Sequence, residues 1–198
     1  YALLDANNPV CVGPFDGLYG YYFEFKRQQE EGMRNALQVI KDVGQEYGNI
    51  SGRPYQLFES IGMDDAEIAI ITLGSSAGTV RTKVERLRSK GIPIGMIKLR
   101  VFRPFPAREL AEDIAGLKAV AVFDRSETFA GGMGGHVFVE LRSAMYEQAK
   151  KPLMINYIYG LGGRDLGLEL IGKAVEELTE TARSGQVKQL VNYLGLHE

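Results

Sequence analysis

The sequence contains very few residues that could hold a redox centre or a metal. Its 198 residues include one cysteine, Cys11, and two histidines, and no tryptophan. One thiol excludes an internal disulfide framework, and it cannot supply the four thiolates that an iron–sulfur cluster usually takes. We interpret Cys11, between Val10 and Val12, as a small buried apolar residue rather than a nucleophile. The scarcity of cysteine is typical of a reducing, cytoplasmic compartment.

The sequence also lacks an excess of either charge and any long apolar run. It has 23 basic and 25 acidic residues, with a net charge of -2. This balance favours neither nucleic acid nor an anionic membrane as a partner. No stretch approaches the roughly 20 apolar residues that span a bilayer, and no signal region opens the sequence. The first residue is Tyr1 rather than Met, so we expect a piece of a longer protein.

Strand-like and helix-like segments alternate through the second part of the chain. Apolar strands are predicted at residues 66–73, 92–101, 119–123 and 153–157, with an edge strand added at residues 55–59. Helical stripes are predicted after them, the last two at Ile171, Val175 and Leu178 and at Val187, Leu190, Val191 and Leu194. Repeated βα units with short links predict an α/β fold with a doubly wound, mostly parallel sheet.

The first part of the chain has a different pattern. An irregular connector rich in Asn, Pro, Gly and aromatic residues is followed by a helical stripe over residues 24–47, with one apolar face. Gly48 and the polar residues after it are predicted to end this helix. We predict two parts: a connector with a long helix at residues 1–52, and an α/β domain at residues 53–198.

Glycines and small residues with hydroxyl groups follow the first parallel strand and form a candidate anion site. They are Gly74, Ser75, Ser76, Gly78 and Thr79. Backbone N–H groups and hydroxyls at such a helix start can hold a phosphate or a carboxylate. The segment lacks the Gly-Lys-Ser/Thr ending of a P-loop and the spacing of a dinucleotide motif. A tight turn that caps the helix is the simpler interpretation, and both stay open.

A second glycine-rich segment joins the strand at residues 119–123 to the next helix. Its candidate interface residues are Gly131, Gly132, Gly134, Gly135 and His136. Glycine permits close approach of a ligand or of another protein chain, and we favour packing against a chain. His136 could act as a base or a metal ligand, but no cysteine or second histidine lies near it in sequence. A cap or interface role is therefore preferred for His136.

Three arginines follow the predicted strands: Arg103, Arg125 and Arg164. Ligands bind at the carboxyl ends of strands in open α/β sheets, so an anion-facing or subunit-facing edge is one interpretation. Structural ion pairing is the simpler one for each arginine. Asp64 and Asp65 are predicted to lie in a solvated turn. No nucleophile, base and orienting acid can be assembled, so no catalytic residue and no metal site is predicted.

Several runs occur in an order that resembles a known family. They are NPV at 8–10, YFEFKRQQ at 22–29, GRPY at 52–55, LGSSAGT at 73–79, LRVFRPFP at 99–106, VFDRS at 122–126 and NYIYGLGGRD at 156–165. Together they resemble the alpha subunit of pyruvate:ferredoxin oxidoreductases and related 2-oxoacid:acceptor oxidoreductases. The glycine loop and the helix after it resemble the C-terminal domain of transketolase-like thiamine enzymes.

The resemblance implies a parent enzyme that oxidatively decarboxylates a 2-oxoacid to an acyl-CoA. It implies thiamine diphosphate, Mg²⁺ and iron–sulfur clusters in the whole enzyme, CoA as co-substrate, and ferredoxin or a similar acceptor. The implied partners are a thiamine-binding beta subunit, a gamma subunit and a ferredoxin-like subunit, and contacts between two copies stay open. This chain would be roughly the C-terminal half of the alpha subunit, a non-catalytic assembly domain without its own cofactor and inactive alone.

Two other hypotheses stay open. The chain could be a regulatory module that binds an anion, a nucleotide or CoA at residues 74–79. It could also be a self-sufficient enzyme with His136 as base, although it lacks a nucleophile. The substrate is open as well: pyruvate comes first, but residues 17–21 lack a Pro-Asp pair expected in the family, and aromatic or dicarboxylic oxoacids remain.

Overall fold

A six-stranded, mostly parallel sheet organises the chain. A computed structural model describes residues 5–8 and 20–197. The strands are β1 (Phe58–Ile61), β2 (Ile68–Leu73), β3 (Ile94–Leu99), β4 (Ala119–Asp124), β5 (Leu153–Ile158) and β6 (Val191–Tyr193). The helices are α1 (Tyr22–Ser51), α2 (Ser76–Arg88), α3 (Ala107–Ile114), α4 (His136–Met145) and α5 (Leu168–Ser184), with a 3-10 turn at Leu161–Gly163.

Helices cover both faces of the sheet, which confirms the predicted fold class. Every residue of β4 is buried, as is every residue of β2 except the last. Val84 of α2 and Leu178 of α5 pack against one face. Leu110 of α3 and Phe138 of α4 pack against the other face. Strands buried from both sides explain the unbroken apolar runs in the sequence.

The order of the strands reverses at the centre of the sheet. The order is β1-β3-β2-β4-β5-β6, and only β1 pairs antiparallel with its neighbour. The chain passes from β2 outward to β3, then returns across β2 to reach β4 on its other side. The loops after β2 and β4 therefore diverge, and this divergence opens a crevice at the carboxyl edge where ligands of such sheets bind.

Two predicted elements differ from the structure. The edge strand near residues 55–59 is present, but it lies at Phe58–Ile61 and pairs antiparallel with β3. The helix predicted from Val187 to Leu194 is wrong. Residues Val191–Tyr193 form β6 in parallel register with β5. Four apolar residues at this spacing are compatible with a helix or with a strand. Pairing with the edge of β5 stabilises the strand.

Helix α1 is longer than predicted because Gly48 does not end it. The helix continues to Ser51 and ends at Gly52, which has a left-handed φ of 70°. Gly44 and Gly48 are buried because the chain after the helix folds back against them. A Cβ at Gly44 would lie 1.9 Å from the carbonyl oxygen of Tyr55, and one at Gly48 would lie 2.8 Å from Pro54 Cα. Glycine is therefore required there for the close approach of the two segments.

The attachment of α1 to the rest of the chain is narrow. Gly44 and Gly48 are its buried residues, and an ion pair of 2.5 Å joins Lys41 to Glu109 of α3. The division into residues 1–52 and 53–198 stays a prediction. In the described residues, no helix combines the length and the apolar character needed to cross a membrane.

Candidate functional site

The junction between β4 and α4 is closed by a buried carboxylate. Asp124, the last residue of β4, is 2% exposed. Its Oδ1 accepts a hydrogen bond from the N–H of Val137 (2.9 Å), and its Oδ2 accepts from the N–H of Phe138 (3.1 Å). Asn156 of β5 donates from Nδ2 to the same Oδ2, at 2.9 Å. These contacts satisfy the first N–H groups of α4 with a negative charge from the chain itself.

Burial raises the pKa of the Asp124 carboxyl above its ordinary value. The hydrogen bonds from Val137, Phe138 and Asn156 oppose this rise, because they stabilise the ionised form. The group is enclosed and saturated with donors from its own chain. We therefore interpret Asp124 as a structural cap for α4.

The glycines before α4 divide into an inner pair and an outer pair. A Cβ at Gly135 would lie 2.2 Å from Asp124 Cβ, and one at Gly134 would lie 2.5 Å from Asn156 Oδ1. The close approach that this inner pair permits is therefore to side chains of the same chain. Gly131 and Gly132 are exposed. Of the four glycines, only this exposed outer pair remains a candidate for contact with another protein chain, together with the residues around it.

The outer glycines form an exposed tip with an apolar character. Phe129 is 89% exposed and has a left-handed φ of 56°, and Met133 is also exposed. A large apolar residue held in a strained backbone conformation at a loop tip is typical of a contact residue. This supports a protein-facing role for the tip.

His136 begins α4 as predicted and is exposed. Its Nδ1 lies 3.0 Å from the hydroxyl oxygen of Ser126, a partner that sequence reasoning did not identify. No other side chain of the described residues makes a hydrogen bond to the His136 ring, so a triad is not formed. Within the described part of the chain, no three His, Cys, Asp or Glu side chains are grouped as metal ligands.

The junction between β2 and α2 has the same topology but remains open. Ser76 is already engaged: its hydroxyl oxygen accepts a hydrogen bond from Tyr159 (2.6 Å) and lies 2.9 Å from the hydroxyl of Thr72. Ser75 at the N-cap position makes no side-chain capping hydrogen bond to α2 within the described part of the chain. The hydroxyls of Ser75 and Thr79 have no hydrogen-bond partner in the described residues. The turn itself is tight, with Gly74 at a left-handed φ of 84°, and the choice between a structural turn and an anion site stays a prediction.

A cleft of about 630 Å³ lies above this open junction. The loops after β2, β4 and β5 line it, and Arg125 and Arg164 are among its lining residues. The structure thus brings two of the three predicted arginines to the predicted anion site. Tyr159, which is 5% exposed, forms part of its floor and was not predicted as a site residue.

The third arginine lies elsewhere. Arg103 forms an ion pair of 2.5 Å with Glu140 of α4 and packs over the ring of Phe102. Structural ion pairing, the simpler interpretation made from the sequence, describes Arg103. Asp65 forms an ion pair of 2.6 Å with Arg88, as expected for a turn residue. Cys11 lies outside the described residues.

A comparison with protein-family models gives a match over residues 66–171. The matched family is described as pyruvate:ferredoxin oxidoreductase core domain II. The chain belongs to this family. The resemblance drawn from the sequence motifs is thereby confirmed, and the match covers the strands and helices from the start of β2 to the first turn of α5.

Curated relatives align over almost the whole chain. Pyruvate synthase subunit PorA of Thermotoga maritima is 41% identical over 198 residues, which is 100% of this chain and 49% of the relative. Ketoisovalerate oxidoreductase subunit VorA of Pyrococcus abyssi is 39% identical over 197 residues, or 99% of this chain and 49% of the relative. The chain spans about half the length of the curated relatives it matches.

A solved structure is also similar. It is the 2-oxoglutarate:ferredoxin oxidoreductase from Magnetococcus marinus, with 2-oxoglutarate, coenzyme A and succinyl-CoA bound. The similarity has a TM-score of 0.47 and 27% identity, and it covers 62% of this chain and 20% of that chain.

Proposed function

We propose that this chain is the assembly half of the alpha subunit of a 2-oxoacid:acceptor oxidoreductase. The observation that carries the proposal is the uncovered apolar face of α1. Val39, Val43, Tyr47 and Ile50 are all exposed, with Val43 at 56% and Ile50 at 80%. Their spacing of three and four residues places them on one side of the helix. An apolar stripe of this kind marks a surface that another polypeptide covers.

The stripe continues into a groove between α1 and the α/β domain. The groove has a volume of about 560 Å³, and Tyr55 and Val101 complete its mostly apolar lining. The tight contact at Gly44 and the ion pair between Lys41 and Glu109 fix the helix beside this groove. Most of the first half of α1 is exposed, and an isolated helix gains little stability in water. A covering partner would supply the missing packing.

We assign this face to the remaining half of the same alpha subunit. The relatives PorA and VorA are about twice as long as this chain, so a comparable stretch of polypeptide is available to cover it. In the proposal, the exposed tip at Phe129, Gly131 and Gly132 contacts a different subunit, such as the thiamine-binding beta subunit. The chain then supports the rest of the enzyme and holds its parts together.

The proposed reaction is oxidative decarboxylation of a 2-oxoacid to an acyl-CoA in the cytoplasm, with pyruvate as the first candidate. The printed names of the relatives support a 2-oxoacid, since one is a pyruvate synthase subunit and the other a ketoisovalerate oxidoreductase subunit. The described residues offer no grouped ligands that fit Mg²⁺ or an iron–sulfur cluster. In the proposal, thiamine diphosphate, Mg²⁺, the clusters and the catalytic residues lie in other parts of the enzyme.

The test is a charge placed on the apolar face of α1 in the complete oxidoreductase. Val43→Glu puts a carboxylate into the covered stripe, while Gln45→Glu places the same side chain on the opposite side of the helix, at an exposed position. We expect Val43→Glu to reduce the recovered complex about tenfold, since burying an unpaired charge is costly. Gln45→Glu should leave recovery and 2-oxoacid-dependent reduction of the acceptor unchanged. Equal recovery of both variants would contradict the proposal.

A further inference from the structure

We propose that the cleft between the β2–α2 junction and Arg125 and Arg164 binds the phosphate group of a small molecule. This inference is independent of the assembly role, because it concerns a different surface. The two arginines come from the loops after β4 and β5 and converge on one cavity. The cavity lies where the strand order reverses, so the diverging loops leave it open toward solvent.

The charges around the cleft are unbalanced. Neither Arg125 nor Arg164 forms an ion pair with a carboxylate of the described residues. Asp165 also lines the cleft, but it forms no ion pair with either arginine. Two positive charges and one negative charge leave a net positive cavity. A phosphate dianion would offset this excess, and arginine binds its oxygens with fixed, paired N–H groups.

Both guanidinium groups are held in place by backbone oxygens. Arg125 donates from Nε to the carbonyl of Gly160 at 3.2 Å, and Arg164 donates from Nη1 to the carbonyl of Gly195. These contacts use one N–H group of each arginine and leave the others for a ligand. Arginines positioned before binding lose less conformational entropy when a ligand arrives.

The β2–α2 junction supplies further donors on the opposite wall. The first turn of α2 has no side-chain cap, and the hydroxyls of Ser75 and Thr79 are free in the described residues. The hydrogen bond from the buried Tyr159 to Ser76 fixes the floor beneath them. The positive end of the α2 dipole adds to the attraction for an anion. The cleft of about 630 Å³ exceeds the size of phosphate alone and leaves room for a further group on the ligand.

Pyrophosphate is the probe for this site, and the complete alpha subunit in its assembled enzyme is the sample. Calorimetric titration should detect binding that weakens with added salt. The double variant Arg125→Gln with Arg164→Gln should weaken it at least tenfold. Arg86→Gln is the matched control, because Arg86 is an exposed arginine in the last turn of the same α2. The control should bind as the unaltered enzyme does.

A second variant keeps the test valid if the double variant fails to fold. Thr79→Ala removes one hydroxyl from the wall and should weaken pyrophosphate binding severalfold, with unchanged thermal unfolding. Absence of binding to the unaltered enzyme, or equal binding by all variants, would overturn the proposal. If the unaltered enzyme does not bind pyrophosphate and the double variant loses other subunits, the proposal is also overturned. The arginines would then be assigned to an interface. Failure of this test leaves the α1 experiment unaffected, because that experiment measures recovery of the complex.

Discussion

Two neighbouring strands of the same sheet lead into helices through glycine-rich loops, and the two junctions are completed in opposite ways. After β4, the chain supplies its own anion: Asp124 accepts hydrogen bonds from the first N–H groups of α4. After β2, the residue in the matching position is Leu73, since Thr72 pairs with Phe123 in the register. The second junction has no acidic residue and opens into a positive cleft. At the start of α4 the N–H groups are bound by a side chain of the same chain, so that junction is structural. The start of α2 is open and is available to a ligand.

The largest expected effect comes from adding a methyl group at the β4–α4 junction, and the same addition at the β2–α2 junction is the comparison. Gly135→Ala should lower the free energy of unfolding by about 3 kcal/mol, because the new Cβ would overlap the Asp124 side chain. Gly78→Ala in α2 meets no atom within 4 Å and should raise stability by about 0.4–1 kcal/mol. Urea unfolding of the chain checks both values. Similar effects at the two positions would show that the β4 junction is not closely packed.

The next effect is expected from Asp124→Asn. The new amide places an N–H donor where Asp124 now accepts hydrogen bonds, so we expect a loss of about 1–3 kcal/mol. Leu73→Asn is the control at the matching position of the open junction and should change stability by less than about 0.5 kcal/mol. Urea unfolding at neutral pH measures both losses. Equal losses in the two variants would remove the distinction between the junctions.

The pH dependence of Asp124 provides a separate test. Burial raises its pKa in the folded state above the unfolded value, so its contribution to stability is complete below the unfolded pKa. That contribution declines as the pH rises through the folded pKa. The stability difference between the unaltered chain and Asp124→Asn should therefore be greatest in acid and shrink with rising pH. A difference that grows with pH would show a lowered pKa instead.

A carboxylate can also be moved to the open junction. Leu73→Asp should reproduce at β2 what Asp124 does at β4, and should weaken pyrophosphate binding about tenfold, or about 1.4 kcal/mol. Leu73 is partly exposed at the cleft, so the fold should tolerate the change. Leu73→Asn, of similar size but uncharged, should retain binding. Calorimetric titration separates the two variants, and equal affinity would argue against an anion site.

The smallest effect concerns the floor of the cleft. Tyr159→Phe removes the hydroxyl that donates to Ser76, and should cost about 0.5–1.5 kcal/mol. Tyr193→Phe removes an exposed hydroxyl that donates to Glu127, and should cost less than about 0.5 kcal/mol. Thermal unfolding of the two variants provides the measurement. No difference between them would mean that Tyr159 does not fix the β2 junction.

Local patterns predicted the sheet and most of the helices because a strand that is buried from both sides consists of consecutive apolar residues. The unbroken apolar runs of β2 and β4 are examples. The strand β6 could not be predicted, because three residues carry no distinct period and the pairing with β5 decides their conformation. The continuation of α1 through Gly48 was also missed, because it depends on a contact that lies outside the helix. Pro54, beyond the end of α1, packs against Gly48.

The candidate site was only partly predictable. Residues 74–79, Arg125 and Arg164 were each identifiable, since turn glycines, hydroxyls and arginines at strand ends are local features. Their convergence on one cleft depends on the order of β2, β4 and β5 in the sheet. The division of the glycines before α4 into an inner and an outer pair also needed the structure, because it depends on Asp124 and Asn156.

Fold class and family follow from the amino-acid sequence alone, because apolar periodicity and ordered motifs are properties of the linear order of residues. The sequence also shows that one cysteine cannot supply the four thiolates that an iron–sulfur cluster usually takes. Which helix start is closed by Asp124, and which opens toward Arg125 and Arg164, follows from the three-dimensional arrangement of the strands. Hydrogen bonding and charge balance depend on the distances between strands, and the crossover at the centre of the sheet sets those distances.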